Sequence, residues 1–235
     1  SGLPGNFGMQ NHAIIMHAVS DLRVKSPQIN NANKYALLVT GAKRPIIDGV
    51  SSYRSDSSDL FGNSDTVLIL GPCRNGIASN TRAQAGDNII GMGTADFADY
   101  VAHFPIHGDL TIDDFYVNGV IGEDTDQEPV RLYGAASGWL RRIKIENIQG
   151  TYNSTTNAAV SIITDNSTSA TLMVDSSATN IDGLEIISPD AKRSDGTMSF
   201  AVSFSGNGTR RNVKIRKLRP RLAGDPSFKG TVWMA

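Results

Sequence analysis

Apolar and polar positions alternate in short blocks along most of this chain, and the blocks recur. One set reads "LRVKSPQI" (Leu22–Ile29), "PIIDGV" (Pro45–Val50), "TVLILGPC" (Thr66–Cys73) and "NIIGMG" (Asn88–Gly93). It returns as "LTIDDFYV" (Leu110–Val117), "LRRIKIENI" (Leu140–Ile148), "IDGLEIISP" (Ile181–Pro189) and "RNVKIRKL" (Arg211–Leu218). Secondary apolar runs lie between them: "YALLV", "VRLYG", "AVSIIT" and "FAVSFSG". Each run has strand length and strand composition. None carries sustained apolar spacing at i, i+3, i+4 and i+7, so no long helix is expected.

The spacing of the runs points to an architecture. Val24, Ile47, Ile69, Ile89 and Ile112 are 23, 22, 20 and 23 positions apart. Three short strands and three turns make a unit of roughly 22 residues, the period of a β-solenoid coil. Coils of a single-stranded parallel β-helix stack at ~4.8 Å and bury one shared apolar interior. Past Ile112 the steps grow to 33 (Ile145) and 41 (Ile186), so longer loops are expected in the C-terminal half. Two β-sandwich domains would leave the near-constant early period unexplained. The expectation is therefore all-β, one parallel β-helix domain over residues 1–235, with the chain a fragment of a longer protein.

Composition refines this picture. The 23 Gly and abundant Val and Ile favour strands and turns. A net charge of −1 gives no reason to expect a nucleic-acid partner. No apolar run reaches the ~18 residues of a membrane span, so no membrane insertion is expected. A single cysteine, Cys73, excludes an internal disulfide framework and reads as a buried thiol. No zinc spacing, phosphate loop or nucleophile elbow occurs, so neither a metal nor a cofactor is expected.

In a solenoid, residues one period apart share an angular position on neighbouring coils. Asp65 ("GNSDTVLIL") and Asp87 ("AGDNII") are 22 apart, and each precedes an apolar strand. His107 ("PIHGDL") follows 20 later, and Arg131 ("PVRLYG") 24 after that. The spacing predicts a column Asp65, Asp87, His107, Arg131 up one outer face. Two carboxylates one coil apart suit glycosidic hydrolysis, which needs an acid for the leaving oxygen and a second carboxylate for water or direct attack. An arginine suits bidentate capture of a substrate carboxylate.

These motifs carry a resemblance. "NSD" at 63–65, "GDN" at 86–88, "HG" at 107–108 and "RLY" at 131–133 resemble, in order and spacing, the Asn-Thr-Asp, Gly-Asp-Asp, Gly-His-Gly and Arg-Ile-Lys motifs of polygalacturonase-type glycoside hydrolases. Those enzymes are right-handed parallel β-helices. "SDTVLILGPCRNGIASNTRAQAGDNIIGM" and "VRLYGAASGWLRRIKIENIQGTY" are similar to the coils of bacteriophage tailspikes and tail-associated polysaccharide depolymerases. The resemblance covers roughly residues 11–152. It implies Asp87 as proton donor, Asp65 as a water-positioning carboxylate, His107 as the supporting histidine and Arg131 as a substrate-binding arginine. It also implies a homotrimer on a virion tail, assembled in the bacterial cytoplasm and acting at the host surface on a capsule or O-antigen polysaccharide. The chain departs from the motifs at Asn88 (an Asp in the family), Tyr133 (a Lys), Ile106 (a Gly) and Thr66 (a Gly). One water-activating carboxylate is thereby missing.

Plainer readings stand beside these. Gly-Asp-Asn is ordinary turn chemistry, and His107 before Gly108 fits a turn. Asn88 is read as a substrate-binding position or a structural corner residue. Phe97 and Tyr100, in "TADFADYVAHFP", and also Tyr133 and Trp139, are candidates for stacking on sugar rings. The acidic segment Asp109–Glu128 reads as a solvated loop without a calcium pattern. In the basic stretch Thr209–Leu222 the charges should face outward. Hydrolysis, glycan binding without catalysis (or a purely structural role), and polysaccharide lysis all remain open at this point.

Overall fold

The structure, a computed structural model, describes residues 13–32, 34–53, 65–94, 109–125, 127–133, 138–152, 158–163, 180–193, 200–205, 208–217 and 232–234. Among them every regular element is a strand. The first coil holds β1 (Ile14–His17), β2 (Arg23–Lys25) and β3 (Gln28–Asn30), and the second β4 (Leu37–Thr40), β5 (Ile46–Asp48) and β6 (Ser51–Tyr53). The third coil holds β7 (Val67–Leu70) and β8 (Cys73–Gln84), the fourth β9 (Ile90–Gly93) and β10 (Ile112–Thr125), and the fifth β11 (Val130–Tyr133) and β12 (Trp139–Tyr152). The sixth holds β13 (Ala158–Ile163), β14 (Asn180–Pro189) and β15 (Lys192–Arg193), and the seventh β16 (Phe200–Ser205) and β17 (Arg210–Arg216). The last described strand is β18 (Val232–Met234). Sheet A runs β1-β4-β7-β9-β11-β13-β16-β18, and the main path of sheet B runs β17-β14-β12-β10-β8-β5-β2. Every pairing joins one coil to the next in parallel, from β1–β4 and β4–β7 to β14–β17 and β16–β18. This is a parallel β-helix.

The register departs from a uniform 22-residue coil. Val24 does pair with Ile47, 23 residues on. Ile47, however, pairs with Ala78, 31 on, and not with Ile69. Ile69 lies in sheet A, between Val39 and Met92. Later steps lengthen: Ile90 to Val130 spans 40 residues, and Ile145 to Ile186 spans 41. The near-constant early period mixes runs from two different sheets in one series. Sheet A strands are buried on both faces, as in "LLVT" and "VLIL". A continuous apolar block carries no alternation from which register can be read.

Sheet B does alternate, and its inward positions form columns. Val24, Ile47, Ala78, Val117, Ile145, Ile186 and Ile215 stack coil on coil. All but the two end members are fully buried in one core with Leu37, Ile69, Met92 and Leu132 of sheet A. Burying each Ile or Val contributes roughly 1.5–3 kcal/mol. Cys73 lies in that core, donates from Sγ to the Leu70 carbonyl at 3.0 Å, and has its thiol pushed up to about 12 by burial.

Two columns of left-handed residues turn the chain around sheet B. One contains Asp21, Arg44, Asn75, Asp114, Arg142, Gly183 and Asn212; the other contains Ser26, Gly49, Asn80, Gly119, Asn147, Ser188 and Lys217. Asn and Asp tolerate this backbone region best among residues with a Cβ. Many of these corners reach down to the coil beneath. Arg44 grips Asp21 with two bonds of 2.7 Å, and Arg142 grips Asp114 at 2.6 and 2.9 Å. Asn80 donates to Asp48 at 2.8 Å, and Asn212 donates to Asp182 at 2.8 Å.

One expectation changes here. The acidic segment Asp109–Glu128 is not a solvated loop. Most of it is β10, with Asp113 and Asp114 paired to Arg142, Glu123 paired to Arg82, and Glu128 buried. Residues 218–222 of the basic stretch lie outside the described residues; in the described part Arg211, Lys214 and Arg216 face outward beside half-buried Val213 and Ile215, and Arg211 and Arg216 pair with Asp182 and Glu185 one coil below.

The corner clamps make stability depend on pH. The hydrogen bond from Arg142 holds the Asp114 carboxyl below its usual range, and the one from Arg44 does the same for Asp21. A depressed carboxyl stabilises the fold above its unfolded-state pKa of ~4, and that contribution is lost as pH falls through the folded value. The melting temperature is therefore expected to drop as pH falls through and below ~4. Asp114→Asn should melt a few degrees lower at neutral pH and decline less steeply on acidification, as followed by circular dichroism.

Candidate functional site

The entrance to sheet A gathers the polar residues. Sheet A side chains at Leu37, Val39, Ile90 and Met92 point into the core, so the alternate positions face outward. One outward column is Leu38, Leu68, Gly91, Arg131; the next is Thr40, Leu70, Gly93, Tyr133. The two glycines of "IIGMG" are gaps in these columns. A Cβ on Gly91 would collide with the Asp65 carboxylate and fall 2.9 Å from Leu68 Cδ1. A Cβ on Gly93 would fall 2.7 Å from the Tyr133 ring. The coil below fills the first gap with Asp65, and the coil above fills the second with Tyr133.

Asp65, Asp87 and Arg131 come together there. The Arg131 guanidinium is largely buried: burial works against its charge, but Glu128 first, then Asp87, Tyr133 and Asp65, hold it protonated. Its Nε lies 3.8 Å from Glu128 Oε1. Asp65 is 3% exposed, Asp87 4% and Glu128 0%. Three carboxylates, one from the leading edge of each of three successive coils, thus lie near enough to one arginine to act on its charge. Asn88, rather than Asp87, is level with Asp65, because Val67 pairs with Ile90. Arg131 sits three positions into the next turn of the ladder, opposite Gly91.

Asn88 joins the coils on either side of it. Its backbone N–H donates to Asp65 Oδ1 at 3.0 Å, and its side-chain Nδ2 donates to the Glu128 carbonyl at 2.8 Å. The second bond requires a donor. An aspartate carboxylate has none to give at neutral pH and would face a carbonyl oxygen instead.

Trp139 is not part of this group. It opens β12 in sheet B, where its ring lies under the guanidinium of Arg141 at 5.4 Å and that of Arg211 at 4.9 Å. His107, Phe97 and Tyr100 lie outside the described residues. Glu128 is the member that the sequence pattern did not single out. Its signal was a carboxylate three residues before an arginine at a strand entrance, "EPVR", hidden by the acidic run around it. Among the described residues no group of His, Cys, Asp or Glu is arranged to hold a metal ion.

The fold and this edge cluster define a parallel β-helix with a buried carboxylate–arginine group on its outer side. No protein-family model matches the chain, and no curated protein matches it. Among solved structures, an alginate lyase from Paenibacillus sp. str. FPU-7 is similar, with a TM-score of 0.53 and 12% identity over 95% of this chain and 75% of that one. At that identity the likeness concerns the fold.

Two outcomes follow from the geometry. Asn88→Asp should destabilise the fold by roughly 1–3 kcal/mol, because it trades a buried donor for a second acceptor. Urea denaturation at neutral pH measures this, and a variant as stable as the parent would contradict the assignment. Arg131→Ala should lower stability by roughly 3–5 kcal/mol, because it removes a counter-charge from buried carboxylates. The double change Arg131→Met with Glu128→Leu should recover only the share of that loss due to Glu128, because Asp65 and Asp87 keep their charges.

Proposed function

We propose that this chain is the β-helix domain of a bacteriophage tailspike that binds and hydrolyses a bacterial surface polysaccharide, with Asp87 as acid and Asp65 as base. The observation that carries this is the convergence of Asp65, Asp87 and Glu128, from three successive coils, on Arg131. Glycosidic hydrolysis needs a carboxylic acid and a carboxylate on opposite sides of the scissile bond, and a group of three acids supplies a pair with one to spare. In this reading Glu128 provides the carboxylate that Asn88 does not, and Arg131 binds an acidic or hydroxyl group of the sugar. The similarity of fold to a polysaccharide-degrading enzyme supports the substrate class. The reading includes a homotrimer on the virion tail.

One observation favours a second reading, in which the β-helix binds glycan or serves as structure without cleaving. Asp65, Asp87, Asn88 and Glu128 are all buried, and Asp65 and Asn88 are committed to inter-coil hydrogen bonds. Catalysis requires that a sugar reach these groups, so the cover over them must open.

A digest of capsular and O-antigen polysaccharides separates the readings. Hydrolysis releases reducing ends without ultraviolet absorbance, whereas a lyase releases unsaturated, absorbing ends. Hydrolytic shortening by the parent chain, abolished in both Asp87→Asn and Asp65→Asn, is the expected result. Undiminished cleavage by both variants would sink the assignment. Retention on a glycan array with no new ends would instead establish the second reading.

A further inference from the structure

Sheet B carries a groove that the carboxylate site does not use. It has a volume of about 350 Å³ and is lined by Arg142, Lys144, Gly183, Glu185, Asn212 and Lys214, with Ile143 and Leu184 beneath. This lies at the lower end of the ~300–1,000 Å³ of small-ligand sites. Its origin is a missing side chain. Gly183 stands in the corner column between Arg142 below and Asn212 above, so the ladder of corner side chains is interrupted for one coil.

We propose that this groove is a second saccharide subsite, which takes an acidic sugar unit of a polysaccharide and docks the polymer on the face of sheet B. The proposal rests on the reading of the chain as polysaccharide-active, but not on the Asp65–Asp87 chemistry. Charge selects the ligand class. Three cations, Arg142, Lys144 and Lys214, line the groove against one carboxylate, Glu185. Lys144, Glu185 and Lys214 share one outward column on successive coils, so the two lysines bracket the groove about 9.6 Å apart at their Cα atoms.

The carboxylate between them is engaged elsewhere. Glu185 Oε1 accepts from Arg216 Nε at 2.8 Å. Lys214 is exposed and has no ion-pair partner among the described residues. Arg142 is already held by Asp113 and Asp114, and Lys144 by Glu146, so these two share their charge with a ligand while Lys214 offers its charge whole. A uronate carboxylate fits between Lys144 and Lys214, and its ring hydroxyls find Asn212 and Glu185 as hydrogen-bonding partners.

Calorimetric titration with polygalacturonate oligosaccharides, against neutral dextran oligosaccharides, tests this. The parent chain should bind the acidic probe, weaken with added salt, and ignore the neutral one. Lys214→Glu should weaken binding by at least about tenfold, the loss expected for one charge-assisted contact. Gly183→Asn should do the same by filling the groove. Asparagine already occupies this left-handed corner at Asn75 and Asn212, and a Cβ on Gly183 meets nothing nearer than 3.4 Å. Circular dichroism of both variants reports whether they remain folded. No binding by the parent, equal binding of the neutral probe, or undiminished binding by both groove variants would overturn the proposal. Probe binding in a chain that cleaves nothing would count against the hydrolase alone, and cleavage without probe binding would count against the groove alone.

Discussion

Each coil of this protein is hydrogen-bonded to the one beneath through parallel ladders in both sheets. That coil-on-coil pairing sets what every side chain can be. A residue is placed ~4.8 Å above one neighbour and the same distance below another, at a fixed angular position. Inside, apolar residues stack without difficulty, and Val24 through Ile215 make one such column. Bulk must still be shared between coils. The Asp65 carboxylate and the Tyr133 ring reach over positions 91 and 93 because both of those positions are glycine.

On the outside the same spacing makes like charges costly and opposite charges useful. One outward column reads Arg74, Asp113, Arg141, Asp182, Arg211 from coil to coil. From Arg74 upward its sign alternates, whereas below it Lys43 and Arg74 carry the same charge. The corner column repeats the device at Asp21 beneath Arg44 and at Asp114 beneath Arg142. The acidic stretch near residue 113 and the basic stretch near residue 211 are therefore parts of one surface pattern. Neither is a block of free charge, in keeping with the net charge of −1. Where the column of corner side chains breaks, at Gly183, an open groove is left, with Lys214 on its upper side.

The strands were legible because their composition and length are strand-like. The runs read from the sequence, from Leu22–Ile29 to Arg211–Leu218, each overlap a described strand. Register was legible only in part. "LRVKSPQI" and "PIIDGV" alternate, and Val24 and Ile47 are true partners. "TVLILGPC" and "NIIGMG" begin with sheet A strands buried on both faces, so they joined the wrong series. The meeting of Asp65, Asp87 and Arg131 survived that error because all three stand at the entrances to sheet A strands. Glu128 escaped notice because its coil is 40 residues long, not 22, so no fixed period points from Asn88 to it.

Asn88 then takes on a different meaning. Compared with a Gly-Asp-Asp motif it is a carboxylate lost. In the ladder it is a donor that must satisfy the Glu128 carbonyl above it, while its own N–H satisfies Asp65 below. Two stacked carboxylates at 65 and 88, with a third at 128, would place three negative charges in one buried column against a single arginine. The amide at 88 separates Asp65 from Glu128 and ties their coils together. A carboxylate stands instead one coil further along the solenoid axis, at Glu128. The condition that allows it is Arg131, whose charge is shared by Glu128, Asp87 and Asp65.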